Sequence, residues 1–137
     1  MTSKLTLGYW GIRGRGQVTR LVCAYTGIEW EEKTYTNPEE WFGKDKQELG
    51  ILFPNLPYIL DGDLKISESD VLPRYVIKKS GKTELLGKDP KDMALVDNVI
   101  YVVLDLWNPI SQLFFNKKWQ DEKTGVFYQL KSKFAKL

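Results

Sequence analysis

Leu5, Leu7 and Tyr9 alternate with Lys4, Thr6 and Gly8, the period-two pattern of a strand with one buried face. From Gln17 the period changes. Val18, Leu21, Val22 and Tyr25 fall on one face of a helix, and Gly27 supplies its stop. Ile28–Tyr35, with Trp30, Thr34 and Tyr35, predicts a second strand. Strand, helix and strand at this spacing imply a right-handed crossover and a parallel pair. Thr36–Asn55 keeps no period, yet Trp41, Phe42 and Phe53 argue against disorder, and so long a segment between strands points to function. Leu56–Leu60 and Leu64–Ile66, joined by Asp61-Gly62, predict an antiparallel hairpin. The result is a mixed sheet of four strands.

Ser67-Glu68-Ser69-Asp70 opens a further helix, with Ser69 as the expected N-cap and Leu72, Tyr75 and Val76 as its apolar face. Pro73 then falls in the first turn, where a missing N–H costs little. Ser80–Pro90 is polar, with two glycines and a proline, and predicts a linker. Beyond it the pattern is helical only. Met93, Val96, Ile100, Val103, Trp107, Ile110 and Phe114 recur at threes and fours, and Leu95, Val99, Val102, Leu106 and Leu113 fill an adjoining stripe. A helix so apolar needs cover on more than one side, and Pro109 is expected to kink or break it. Phe127, Leu130, Phe134 and Leu137 predict a last helix, with the Lys131–Lys136 charges on a solvated face.

Composition narrows the functions open to such a chain. Its 137 residues suffice for one ordinary domain or two small ones, and 42% hydrophobic with 28% charged residues is a soluble globular balance. Twenty basic against 18 acidic residues leave +2, too even to suggest nucleic acid or an anionic membrane as the main partner. No apolar run approaches the roughly 20 residues of a membrane span. The opening M-T-S-K-L-T-L-G carries no secretory h-region, and the single Cys23 excludes an intrachain disulfide. Both point to the cytoplasm. Without histidine, a zinc site, a Ser-His-Asp triad and a Cys-His pair are all disfavoured, and no metal is expected.

The candidate chemistry gathers at one end of the sheet. Tyr9 and Trp10 stand where the first strand turns into a glycine- and arginine-rich run, the place where α/β folds put ligands. Tyr9 there has two readings: a core or rim tyrosine, or a hydrogen-bond donor to an anion. Leu56-Pro57 is either a trans proline opening a strand or a cis bond that turns the Leu56 main chain outward as a peptide-docking edge. Ser69 is a helix cap or, with Glu68, a grip on the carboxylate and ammonium of an α-amino acid. Lys46 and Trp41 are surface groups of a loop or a grip on a second carboxylate. Cys23 reads as a small, partly buried residue of the first helix, and Arg20 as an ion-pair partner.

The segments L-T-L-G-Y-W-G-I-R-G, E-E-K-T-Y-T, L-G-I-L-F-P-N-L-P-Y-I-L-D-G and K-I-S-E-S cover most of residues 5–80. Together they resemble a cytosolic glutathione transferase, most of all the mu class. The resemblance implies an α/β thioredoxin-like first domain over 1–82, a linker at 83–89 and an all-helical second domain over 90–137, truncated because the family continues with further helices. It implies a transferase of detoxification that joins glutathione, its co-substrate, to small hydrophobic electrophiles, with no other cofactor. Tyr9 becomes the catalytic residue, its hydroxyl stabilising the thiolate. Tyr9, Trp10, Trp41, Lys46, Asn55, Leu56, Glu68 and Ser69 become glutathione contacts, with Pro57 cis. Asp105 would reach the glutathione of a partner subunit, Phe115 would face the electrophile, and Phe53 would sit at a homodimer interface. Neither nucleic acid nor membrane is implied as a partner.

The chain also departs from the family pattern. The loop before Trp41 is shorter, the Trp41–Asn55 spacing is one residue longer, Glu68 replaces a glutamine, and Phe115 replaces a tyrosine whose hydroxyl assists some substrates. Two alternatives stay open: a glutathione- or ligand-binding protein without useful catalysis, and a glutathione-dependent isomerase. A thioredoxin-type disulfide exchanger is disfavoured, because there is no Cys-x-x-Cys.

Overall fold

Strand β1 (Leu5–Trp10) realises the alternation at the start of the chain: Leu5 and Leu7 are fully buried and Tyr9 nearly so. A computed structural model of the protein describes residues 4–135. Helix α1 (Gln17–Thr26) follows β1 and ends at Gly27, whose left-handed φ of 72° lets its N–H close on Cys23 O at 3.0 Å. The buried face of α1 is not the expected one. Thr19 and Cys23 are fully buried, while Val18, Leu21 and Tyr25 are 56%, 59% and 66% exposed. Small side chains allow a helix to lie close on a sheet, and here they outrank the larger apolar residues one step around the helix.

Strand β2 (Trp30–Tyr35) returns parallel to β1, with Tyr9 opposite Thr34. The segment without a period proves to be coiled into short turns: α2 (Pro38–Glu40), a π-helical turn (Trp41–Asp45) and α3 (Lys46–Glu48). Strands β3 (Tyr58–Asp61) and β4 (Leu64–Ser67) form the expected antiparallel hairpin around Gly62. β3 also runs antiparallel to β1, with Gly8 opposite Tyr58, so the sheet is mixed, in the order β2-β1-β3-β4.

Helix α4 (Val71–Ser80) starts one residue later than expected. Asp70, not Ser69, occupies the cap position, and no side chain caps it. The Glu68 carbonyl does that work, accepting from Val71 N–H at 3.0 Å and Leu72 N–H at 3.2 Å. Pro73 is buried in the first turn, where it breaks no intrahelical bond. Leu72 and Val76 of α4 and Cys23 of α1 pack with Leu5, Leu7 and Ile59 on one face of the sheet. A second core of Tyr35, Trp41, Ile51 and Tyr58 forms separately. This is the thioredoxin-like arrangement.

A 3₁₀ turn (Thr83–Leu86) spans the boundary between two units, one extending to Leu85 and the other beginning at Leu86. In the second unit, α5 (Pro90–Phe115) opens with Asp89 accepting from Asp92 N–H at 2.9 Å and with proline as its first residue. Pro109 stands inside α5 without ending it, so of the expected kink or break the break does not occur. No residue of α5 is buried, so the cover that its apolar pattern calls for is not supplied among the described residues. Its 26 residues are long and apolar enough to cross a membrane by length and composition, a helix of a kind the sequence reading did not expect. Helix α6 (Trp119–Phe134) packs against α5. The expectations for Lys136 and Leu137 fall outside the described residues.

Candidate functional site

Tyr9 ends the buried row of β1, and its hydroxyl points at the turn that follows. The Arg15 main-chain N–H donates to Tyr9 Oη at 3.0 Å. A side chain at position 14 would prevent this approach: a Cβ built on Gly14 would lie 2.7 Å from Tyr9 Oη, and the φ of 36° there also favours glycine. A phenol oxygen that accepts from an amide keeps its own hydrogen for another partner. Tyr9 can therefore donate to an anion while the amide supports the charge drawn onto its oxygen.

Arg20 fixes this turn. Its guanidinium donates to the main-chain oxygens of Ile12 at 2.8 Å, Arg13 at 3.2 Å and Trp10 at 3.4 Å. Its Nε and Nη2 also pair with the Glu32 carboxylate of β2. Sited 5.8 Å from the centroid of the Tyr9 ring, it binds strand end, turn and catalytic candidate into one assembly. The sequence reading of Arg20 as an ion-pair partner agrees with this geometry.

Trp10 is half-buried, edge-on to Tyr35 at 6.0 Å and tilted against Phe42 at 6.1 Å. The exposed Lys46 places its Nζ 5.5 Å from the Phe42 ring, so Phe42 adjoins both Trp10 and Lys46. Trp41 differs from them. It is 2% exposed and stacks on Tyr58 at 5.8 Å with 20° between the rings, so most of it belongs to the core.

A second group forms around Asn55. Its Oδ1 accepts from the Leu56 N–H at 2.9 Å and its Nδ2 donates to Glu68 Oε1 at 3.1 Å. The Leu56 N–H, expected to be an open docking donor, is thus held by its neighbour's side chain. The Leu56-Pro57 bond is cis. Glu68 is exposed and adopts φ 81°, the left-handed region, which costs a non-glycine residue about 1–3 kcal/mol. Ser69, half-buried, follows it ahead of α4.

Asp105 and Phe115 lie on α5 in the other unit, both exposed, Phe115 at 83%. Phe53 is 72% exposed. Cys23 is fully buried, and burial pushes its thiol up to about 11, against a weaker opposing main-chain hydrogen bond, so it is no nucleophile. Among the described residues no group of three His, Cys, Asp or Glu is placed to hold a metal ion.

Sequence reasoning missed the Arg15 amide, because a main-chain donor leaves no mark on residue identity. It also missed a buried chain of hydroxyls. Tyr35 Oη donates to Asp45 Oδ2 at 2.6 Å and lies 2.9 Å from Tyr58 Oη. Burial first, then the bond to Asp45, holds the Tyr35 phenol protonated far above its ordinary range, and burial raises Tyr58 as well.

Comparison with known proteins adds a family to this geometry. The family model described as "Glutathione S-transferase, N-terminal domain" matches residues 5–78. The chain is 37% identical over 125 residues to the glutathione S-transferase class-mu 26 kDa isozyme of Schistosoma mansoni, covering 90% of this chain and 63% of that protein. It is 34% identical over 133 residues to glutathione S-transferase Mu 4 of Mus musculus, covering 92% of this chain and 59% of that one. It therefore spans about three fifths of the length of these curated relatives. Among solved structures, monomeric Na-GST-3 of the hookworm Necator americanus is similar with TM-score 0.78 and 28% identity, over 96% of this chain and 64% of that one. The glutathione S-transferase Blo t 8 is similar with TM-score 0.81 and 25% identity, over 96% of this chain and 61% of that one.

Proposed function

Because this chain belongs to the glutathione S-transferase family, we propose that it conjugates the glutathione thiolate to small hydrophobic electrophiles, a reaction of detoxification. The observation that carries the reading is the Arg15 N–H to Tyr9 Oη bond of 3.0 Å, which leaves the Tyr9 hydrogen for the sulfur. A free thiol of pKa about 8.5 is only a few per cent ionised at neutral pH. A hydrogen bond to the anion lowers that value, each unit amounting to about 1.4 kcal/mol. The thiol proton leaves to solvent, the Tyr9 hydroxyl donates to the sulfur anion, and the thiolate attacks the electrophilic carbon, forming the C–S bond as the leaving group departs, chloride in the case of chlorodinitrobenzene.

Glu68 and Ser69 take the α-amino acid head of glutathione, and Leu56 and Asn55 its middle. Binding through the Leu56 N–H requires the Asn55 side chain to turn away from it. Trp10, Trp41 and Lys46 serve the far carboxylate. No metal or redox cofactor enters this scheme. Phe115 faces the electrophile, while Asp105 and Phe53 act in a cytoplasmic homodimer. The similar Na-GST-3 is described as monomeric, so sedimentation of this protein decides that part alone.

The deciding experiment is conjugation of chlorodinitrobenzene beside Tyr9→Phe. The variant should lose most of its turnover and raise the pKa of the bound thiol, with glutathione affinity little changed. An unchanged thiol pKa removes Tyr9 from the mechanism. A second reading is a glutathione-binding protein without useful catalysis. Retention on immobilised glutathione without conjugation selects it.

A further inference from the structure

A main-chain hydrogen bond joins the two ends of the turn that carries Trp41 and Lys46. The Lys46 N–H reaches back five residues to the Trp41 carbonyl and closes the π-helical turn Trp41–Asp45. Such turns are rare, and they recur at functional sites. This one lies within an unbroken helical run, with α2 directly before it and α3 directly after.

The restraint comes from within the turn. Asp45, its last residue, accepts from Tyr35 Oη at 2.6 Å. An ionised carboxylate only accepts, and a phenol has a single hydrogen. The Tyr35 hydrogen is thus committed to Asp45, and the Tyr58 hydrogen must point at Tyr35 Oη, 2.9 Å away. Tyr58 in turn is the stacking platform of Trp41, and Tyr35 meets Trp41 edge-on at 5.6 Å. The turn is gripped at its first residue by two rings and at its last by the hydroxyl of one of them. All three rings are 2% exposed or less.

We propose that Asp45 is a positioning residue. Through Tyr35 and Tyr58 it sets the Trp41–Asp45 turn so that Trp41 and Lys46 meet the carboxylate at the glycine end of the bound tripeptide. This rests on the glutathione reading above and goes beyond it, since Asp45 itself touches no part of the ligand. Its role is selective. A ligand without that carboxylate gains nothing from the turn.

The test is calorimetric binding of glutathione and of γ-glutamylcysteine, which lacks the glycine. Asp45→Ala removes the acceptor that ties Tyr35 to the turn, leaving its hydroxyl only Tyr58 Oη at 2.9 Å, and should weaken glutathione roughly tenfold while γ-glutamylcysteine binds as before. Asp45→Asn keeps an acceptor oxygen and should restore most of the difference. Tyr35→Phe should repeat the Asp45→Ala result, and it decides the matter if the alanine variant does not fold. Unchanged discrimination between the two peptides in both Asp45→Ala and Tyr35→Phe overturns the role of Asp45, as does equal weakening of both peptides. A wild-type protein that binds neither peptide overturns the glutathione reading instead, a result distinct from either.

Discussion

The ring of Tyr58 occupies the space that a side chain at Gly8 would need. The two residues face each other across the β1–β3 pair, and a Cβ built on Gly8 would lie 2.1 Å from Tyr58 Cζ. Gly8→Ala should therefore force Tyr58 aside and with it the Trp41 stack, costing about 1–3 kcal/mol as an overpacked core does. Urea unfolding measures the loss. A variant as stable as the parent means that the ring has room elsewhere.

Glu68 combines a strained main chain with a useful carboxylate. At φ 81° a glycine is at ease. Glu68→Gly should keep or raise the melting temperature while weakening glutathione roughly tenfold, through loss of the acceptor for its ammonium. Glu68→Gln should match the parent in stability and fall between the two in binding. A clear drop in the melting temperature of the glycine variant contradicts the strain.

Cys23 gives the alkaline limb of the stability curve. Burial raises its thiol from 9.0 to about 11, so the folded protein keeps this proton to higher pH than the unfolded chain does. Its contribution is complete below about pH 9 and is lost as pH rises through 11, with a slope of at most about 1.4 kcal/mol per pH unit. Tyr75, raised to about 12 chiefly by burial and then by its bond to Asp61, adds a similar decline only above pH 10. Between pH 9 and 10 the slope should accordingly vanish in Cys23→Ala, as chemical denaturation at stepped pH will reveal.

How much of this was legible in the sequence depends on the range of the interaction. The Leu5, Leu7 and Tyr9 alternation, the Gly27 stop and the Asp61-Gly62 turn are local, and the strands and hairpin follow from them within a residue or two. The buried face of α1 was misjudged because periodicity weights large apolar residues, whereas closeness to the sheet selects Thr19 and Cys23. Capping rules point to Ser69, yet the Glu68 carbonyl supersedes it, in a conformation that composition assigns to glycine or asparagine. The turn at Trp41 has no 3.6-residue signature. Its anchor joins Tyr35 to Tyr58, residues 23 apart in the chain, and only the folded sheet brings them together.

Arg20 holds the turn after β1 by main-chain oxygens alone, and Ile12 and Arg13 leave their own side chains in solvent. Scaffold and ornament are thereby separated within a few residues. Mutational drift can rewrite the exterior of that turn freely, since no side chain there is needed to keep the amide on the phenol. Ile12 and Arg13 are thus two exposed positions that can be varied while the Arg15 amide stays on the Tyr9 oxygen.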